Sequence, residues 1–164
     1  MSSNKYNEDD NMDLLLASYH GDLNEIADLF FRSIPNVNVK GKNNVTSLIL
    51  ASQEGKLDVV EFLLDRGARV NDLMTDGKTA LLMACKNGHT EVVKILMKRG
   101  ADQYVKSNGK TPRDIAINNK EIVKILDSYN LRGQIPEKIR GGKKKKTIKE
   151  RKGKRRQTNK RKRI

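Results

Sequence analysis

Two short stretches contain the residue types that bind phosphate: Gly77-Lys78-Thr79 and Gly109-Lys110-Thr111. In a phosphate-binding loop the backbone N–H groups, the lysine and the hydroxyl surround the phosphates, and a further glycine stands five residues before the one that precedes the lysine. Those positions hold Asp72 and Tyr104. Neither stretch has the spacing of a phosphate loop, so its glycine and threonine need a structural explanation.

Few side chains could bind a metal or act as a nucleophile. The only histidines are His20 and His89, and the only cysteine is Cys85. A metal site needs several converging ligands, and one cysteine cannot form an intramolecular disulfide. Cys85 follows Ala84 in a predicted helix, where we interpret it as a buried, inert thiol. We therefore predict no enzyme activity, no catalytic residue, no cofactor and no metal.

Positive charge is concentrated at one end of this 164-residue chain, whose formal net charge is +14. Residues 141–164 hold fourteen of the 34 Lys and Arg residues but one of the 20 acidic residues. The rest of the chain is nearly neutral, so the body and the tail need separate explanations. The N-terminus lacks a signal-peptide pattern, and no apolar run approaches the ~20 residues that span a bilayer. We expect an intracellular protein without membrane insertion.

The body repeats itself with a period of 33 residues. The pairs that stand 33 residues apart are Thr46 and Thr79, Leu48 and Leu81, Ala51 and Ala84, Gly55 and Gly88, Gly67 and Gly100, and Ala68 and Ala101. The fourth copy follows 32 residues after Thr79, at Thr111, and a weaker first copy precedes, with Gly21 placed 34 residues before Gly55. A fixed period of this length predicts stacked units that share a continuous core.

Each unit is predicted to contain two helices. In the best copy Thr79 is the N-cap of the first helix, Leu81 lies on its core face, and Gly88 ends it where a left-handed residue costs least without a Cβ. The second helix begins near Glu91. Its apolar face consists of Val92, Val93, Leu96 and Met97. Apolar residues at this spacing favour an amphipathic helix.

The third copy, DGKTALLMACKNGHTEVVKILMKRGAD from Asp76 to Asp102, resembles an ankyrin repeat, with Ala80 and Leu82 at the usual proline and histidine positions. The second has Asn44 at the usual turn glycine, and asparagine tolerates the left-handed conformation. The first, LLLASYHGDLNEIADLFF, resembles an N-terminal capping repeat. The fourth opens with GKTPRDIA and then lacks two residues between its helices.

The resemblance implies an all-α ankyrin solenoid of about four helix-turn-helix repeats with hairpin fingers. The predicted domain spans 12–130, with repeats at about 12–39, 40–72, 73–105 and 106–130, between a disordered acidic segment at 1–11 and a disordered Lys/Arg-rich tail at 131–164. A reshaped loop is expected at 32–39, between repeats one and two. At the family's usual Gly-His position, the ring of His89 is expected to bond local backbone.

Ankyrin-repeat proteins bind protein partners on the concave face of fingers and first helices, and the resemblance implies that face here. The implied protein-binding residues are Tyr19, His20, Lys42, Asn43, Val45, Gln53, Glu54, Thr75, Asp76, Lys78, Lys86, Asn87, Ser107, Asn108 and Lys110. The set is polar and mildly basic, so we expect a protein partner with an acidic or mixed surface. The chain's composition and its Lys/Arg tail also resemble the ankyrin-repeat proteins of large DNA viruses.

The tail has too little apolar surface to offset chain entropy and is expected to be disordered. Its cationic residues are Lys143, Lys144, Lys145, Lys146, Lys149, Arg151, Lys152, Lys154, Arg155, Arg156, Lys160, Arg161, Lys162 and Arg163. Their separate clusters favour a nuclear or nucleolar targeting signal read by an import receptor. Two alternatives remain open, a non-specific nucleic-acid arm and a solubilising tail that binds acidic partners or anionic lipid.

Overall fold

The computed structural model describes residues 8–131, and the regular elements in this range are helical. The helices are α1 (Glu8–His20), α2 (Leu23–Arg32), α3 (Ser47–Gln53), α4 (Leu57–Asp65), α5 (Ala80–Asn87), α6 (Thr90–Lys98), α7 (Pro112–Ile115) and α8 (Lys120–Leu131), with a 3-10 turn at Lys42–Asn44. Between residues 8 and 131 the only β pairing is an isolated bridge between Ser107 and Lys110. The predicted all-α fold class is confirmed. The predicted tail falls outside the described residues, apart from Leu131.

The first helices of repeats two to four begin with the same cap. The hydroxyls of Thr46, Thr79 and Thr111 each accept a hydrogen bond from the backbone N–H three residues later, at 3.2–3.3 Å. Such a cap provides an acceptor for a backbone N–H of the first turn that has no partner within the helix. Gly88 ends α5 at a φ of 79°, in the left-handed region. Both the predicted N-cap and the predicted helix end in repeat three are confirmed.

The helices form two rows. In the first row α1 packs on α3, α3 on α5 and α5 on α7, while α4, α6 and α8 pack in sequence in the second row. The leucines at Leu14, Leu48, Leu81, Leu29, Leu63, Leu96 and Leu126 are all buried between the rows. Because neighbouring repeats share this core, each depends on the next for its burial.

Repeat one differs from the interior repeats where a preceding repeat would contact it. Val59 and Val92 occupy equivalent positions in α4 and α6, and both are buried. The corresponding residue of α2 is Glu25, which is exposed. A terminal repeat needs such a polar outer face for solubility. The exposed glutamate in place of a buried valine agrees with the resemblance of repeat one to a capping repeat.

The predicted disordered segment at 1–11 is wrong for residues 8–11, which belong to α1. Two features explain the earlier start of the helix. The side-chain oxygen of Asn11 accepts a hydrogen bond from the backbone N–H of Asn36 at 2.9 Å, so this turn is tied to the loop after repeat one. The acidic residues 8–10 also lie at the helix N-terminus, where negative charge is favourable. The loop expected at 32–39 begins one residue later, because Arg32 is still the last residue of α2.

Two asparagines join successive loops between repeats. The Asn38 amide donates to the carbonyl of Gly67 at 3.2 Å and accepts from the N–H of Arg69 at 2.8 Å. Asn71, one period later, makes the same pair of bonds to Gly100 and Asp102, again at 3.2 and 2.8 Å. Each amide therefore fixes the backbone turn of the following repeat.

Replacing Asn71 with alanine should lower the free energy of unfolding by about 1–2 kcal/mol, because two inter-repeat hydrogen bonds are lost at once. Asn71→Asp keeps the acceptor but loses the donor, so its loss should be intermediate. Asn118→Ala removes an exposed side chain without such bonds and should change the stability by less than about 0.5 kcal/mol. Urea denaturation of the three variants tests the order. Equal midpoints for Asn71→Ala and Asn118→Ala would contradict a clamping role.

Candidate functional site

The fingers between repeats are short turns that bond to one another. In the finger of repeat three the N–H of Met74 donates to the carbonyl of Lys78 at 2.9 Å. The N–H of Thr75 donates to the carbonyl of Asn43 at 3.0 Å, which joins this finger to that of repeat two. The hydroxyl of Ser107 donates to the carbonyl of Asp76 at 2.9 Å and joins it to the finger of repeat four. The fingers and first helices of repeats two to four are named the finger surface here.

The predicted binding residues occupy this surface and the C-terminal end of α1. Those on fingers are Lys42, Asn43, Val45, Thr75, Asp76, Lys78, Ser107, Asn108 and Lys110; those at the ends of first helices are Tyr19, His20, Gln53, Glu54, Lys86 and Asn87. Two of them also have a structural role. Val45 packs against the hydrophobic core, and the buried Ser107 uses its hydroxyl to join two fingers. These two residues therefore hold the fingers in place in addition to forming part of the surface.

A groove of about 360 Å³ lies between repeats three and four. Its lining consists of Lys78, Leu82, Met83, Lys86, Ser107, Asn108, Lys110 and Ile115. It brings together five predicted residues from two fingers and α5. Leu82, Met83 and Ile115 also line the groove and were not among the predicted binding residues, which are mostly polar. Leu82 and Met83 belong to α5 and Ile115 is the last residue of α7, so the groove draws its apolar lining from both repeats.

The groove carries unpaired positive charge. The ammonium of Lys78 lies 2.5 Å from Oδ2 of Asp76, and this hydrogen bond holds the pKa of Asp76 below its usual value. Among the described residues, neither Lys86 nor Lys110 has an acidic partner. Two free ammonium groups thus stand over an apolar floor. This arrangement favours a ligand that offers both carboxylates and an apolar side chain.

Gln53 and Asn87 tie two repeats together rather than lining this groove. The Gln53 carbonyl lies 2.6 Å from Nδ2 of Asn87, which donates to it, and 2.9 Å from Nε2 of His89. The predicted local bond of His89 is wrong, because the ring reaches the backbone of the preceding repeat. Its ring also lies against Gly55, where a Cβ would be 2.5 Å from Nδ1. The Gly-His pair is therefore an inter-repeat contact.

Tyr19 and His20 lie apart from the groove, on repeat one. Their rings meet edge to face with centroids 5.2 Å apart. His20 lines a second groove of about 360 Å³ together with Asp13, Leu16, Ala17, Asp22 and Glu25. This groove is acidic where the first one is basic. The predicted set is thus divided between two surfaces of opposite charge.

The side chains considered for chemistry lie in structural positions. Cys85 is buried in α5, and burial raises the pKa of its thiol to about 12, so the reactive thiolate is disfavoured. Between residues 8 and 131, no three His, Cys, Asp or Glu side chains are grouped closely enough to hold a metal ion. In the same range no helix has both the length and the apolarity to cross a membrane.

Stacked helix pairs, threonine caps and joined fingers define a helical repeat protein with a shared core. Residues 14–107 and 69–134 both match the family model described as ankyrin repeats (3 copies). The chain therefore belongs to the ankyrin-repeat family, whose members are generally interaction modules without catalytic activity. No curated protein matches the chain.

Proposed function

We propose that this protein is a non-enzymatic adaptor that binds an acidic segment of a partner protein along the finger surface. The groove between repeats three and four carries this proposal. It combines two unpaired lysines with an apolar floor, on the surface that ankyrin-repeat proteins commonly use to bind their partners. The partner segment would place an apolar side chain between Met83 and Ile115 and carboxylates at the rim.

The rim lysines favour carboxylates over phosphate. Proteins that bind phosphate commonly combine a planar arginine fork, or a lysine, with backbone N–H groups at a helix N-terminus. No arginine lines this groove, and its charges are the flexible ammonium groups of Lys78, Lys86 and Lys110. Lysines act as separate point charges, which suits carboxylates spread along a peptide. Met83 adds an adaptable apolar contact.

Reversing the charge of the free lysines tests this proposal. Lys86→Glu with Lys110→Glu should weaken binding of a peptide rich in Glu with one central Leu by at least about tenfold. The control carries the same change in net charge at two exposed lysines of second helices, Lys98→Glu with Lys124→Glu. Fluorescence anisotropy with the full chain gives the affinities. Equal losses in both variants would indicate net charge alone and would contradict a site in the groove.

We further propose that the basic tail delivers the protein to the nucleus or nucleolus through an import receptor. The support comes from sequence, since fourteen cationic residues occur between residues 143 and 163 in separate clusters. Direct binding of nucleic acid by the same residues is the second candidate, and its support is their charge density. In that case the ankyrin repeats would recruit a client protein to the nucleic acid.

Residues 134–164 should concentrate a fluorescent reporter in the nucleus when the reporter is too large to enter passively. Replacing Lys143–Lys146 with alanine should reduce the nuclear signal in part, because twelve of the sixteen cationic residues in 134–164 remain. Titrating the full chain against an unrelated duplex at two salt concentrations separates the candidates. An arm on DNA should show a log–log slope of about −0.9 per phosphate neutralised. A uniformly distributed reporter would contradict nuclear targeting.

A further inference from the structure

Repeat one presents a surface that interior repeats cover with their neighbours. In repeat three, Asn87 and His89 both contact the Gln53 carbonyl of the preceding repeat. Their counterparts two periods earlier are His20 and Asp22. These two residues therefore lie where a preceding repeat would pack. The second groove, which both of them line, opens on this end of the stack.

An apolar stripe runs along α1 beside that groove. Met12, Leu16 and Tyr19 follow one another at four and three residues, which places them on one helix face. Their exposed fractions are 62%, 56% and 42%. At the position of Leu16 the interior repeats have Leu50, which is half-buried, and Met83, which is buried. The stripe together with Asp13, His20, Asp22 and Glu25 is named the end face.

Capping explains only part of the end face. A terminal repeat needs a polar outer surface, and Glu25 supplies it at a position where Val59 and Val92 are buried. That need does not account for three large apolar side chains on successive turns of α1. Exposed apolar residues grouped in this way and bordered by polar ones mark interaction surfaces more often than isolated ones do.

The charge of the end face points to the partner. Asp13 and Asp22 have no cationic partner among the described residues, and Glu25 has the exposed Arg32 at 3.2 Å. The border of the stripe is therefore negative. We propose that the end face docks an amphipathic helix of a partner protein, with apolar side chains on the stripe and Lys or Arg opposite the carboxylates. An arrangement of this kind gives specificity through charge complementarity.

The end face and the groove differ in charge, so they select different partners. A helix that suits the end face carries Lys or Arg, which the ammonium groups of Lys86 and Lys110 would repel. An acidic peptide that suits the groove would in turn be repelled by Asp13 and Asp22. One chain could thus hold two different proteins at once. This proposal does not rest on the proposed function of the groove between repeats three and four.

The probe is a helical peptide with Leu on one face and Lys on the other, and its twin carries Glu in place of Lys. Fluorescence anisotropy with the full chain should detect the Lys peptide and not the Glu twin. Leu16→Ser with Tyr19→Ser should weaken that binding by at least about tenfold. The matched control, Leu73→Ser with Ile117→Ser, removes two exposed apolar side chains elsewhere and should leave it within about twofold.

A second variant provides a test that does not depend on how the two serine substitutions affect folding. Asp13→Asn with Glu25→Gln changes charge and not size, and it should weaken binding of the Lys peptide with a smaller effect at high salt. Lys86→Glu with Lys110→Glu should not weaken it. Equal affinity for both peptides, or unchanged affinity in the Leu16 and Tyr19 variant, would overturn the proposal. Dimerisation that this variant abolishes would overturn it too, because a second copy would then cover the stripe.

Discussion

Replacing Leu81 with alanine is expected to lower the free energy of unfolding by about 2–5 kcal/mol. Leu81 is buried in the first turn of α5, which packs on both α3 and α7. The cavity would lie between repeats that hold each other in place, so neighbouring side chains have little freedom to fill it. Natural domains are stable by only about 5–15 kcal/mol, so the melting temperature should fall by several degrees.

The control for this variant lies on the same helix. Lys86→Ala removes an exposed side chain without an ion pair and should change the stability by less than about 0.5 kcal/mol. Urea denaturation followed by circular dichroism measures both. Similar midpoints for the two variants would contradict the assignment of Leu81 to a core shared by three repeats.

Gly55→Ala is expected to cost about 1.5–3.5 kcal/mol, which combines two effects. Gly55 has a φ of 68°, where a residue with a Cβ loses about 1–2 kcal/mol. The added Cβ would also lie 2.5 Å from Nδ1 of His89 and displace the ring from the Gln53 carbonyl. Losing that hydrogen bond costs about 0.5–1.5 kcal/mol more.

A double-mutant cycle separates these effects. Gly67 has a φ of 88° and nothing within 4 Å of an added Cβ, so Gly67→Ala should show the backbone cost alone. In a His89→Ala background, Gly55→Ala should fall to the cost of Gly67→Ala, because the ring is no longer there to be displaced. Thermal melts of the unsubstituted chain and the four variants provide the numbers. An unchanged cost of Gly55→Ala without the ring would show that His89 does not pack as described.

The 33-residue period predicted the fold because each residue that recurs with this period has a local physical reason. The Thr79 cap, the Gly88 helix end and the buried Leu81 depend on backbone geometry and burial inside one repeat. The left-handed turn at Asn44, with a φ of 58°, could be predicted in the same way. Such features can be inferred from a sequence without knowing its tertiary contacts.

Features that depend on contacts between repeats could not be predicted from these recurring residues. The start of α1 involves Asn11 and Asn36, and the partner of His89 is a carbonyl 36 residues away. Ser107 was predicted to be a binding residue, but its hydroxyl donates to the carbonyl of Asp76 in the preceding finger. The exposure of Leu16 could not be predicted for the same reason, since an apolar helix stripe does not show whether a neighbour covers it.

Site-specific photo-crosslinking in cells tests the central claim, that partners bind the finger surface. One version of the full chain carries a photoreactive residue at Thr75, an exposed finger position; the other carries it at Glu61, exposed on the second helix of repeat two. We predict a protein adduct from position 75 that disappears when Lys86→Glu and Lys110→Glu are added, and no such adduct from position 61. An adduct from position 61 alone would place the partner on the second helices and contradict the account.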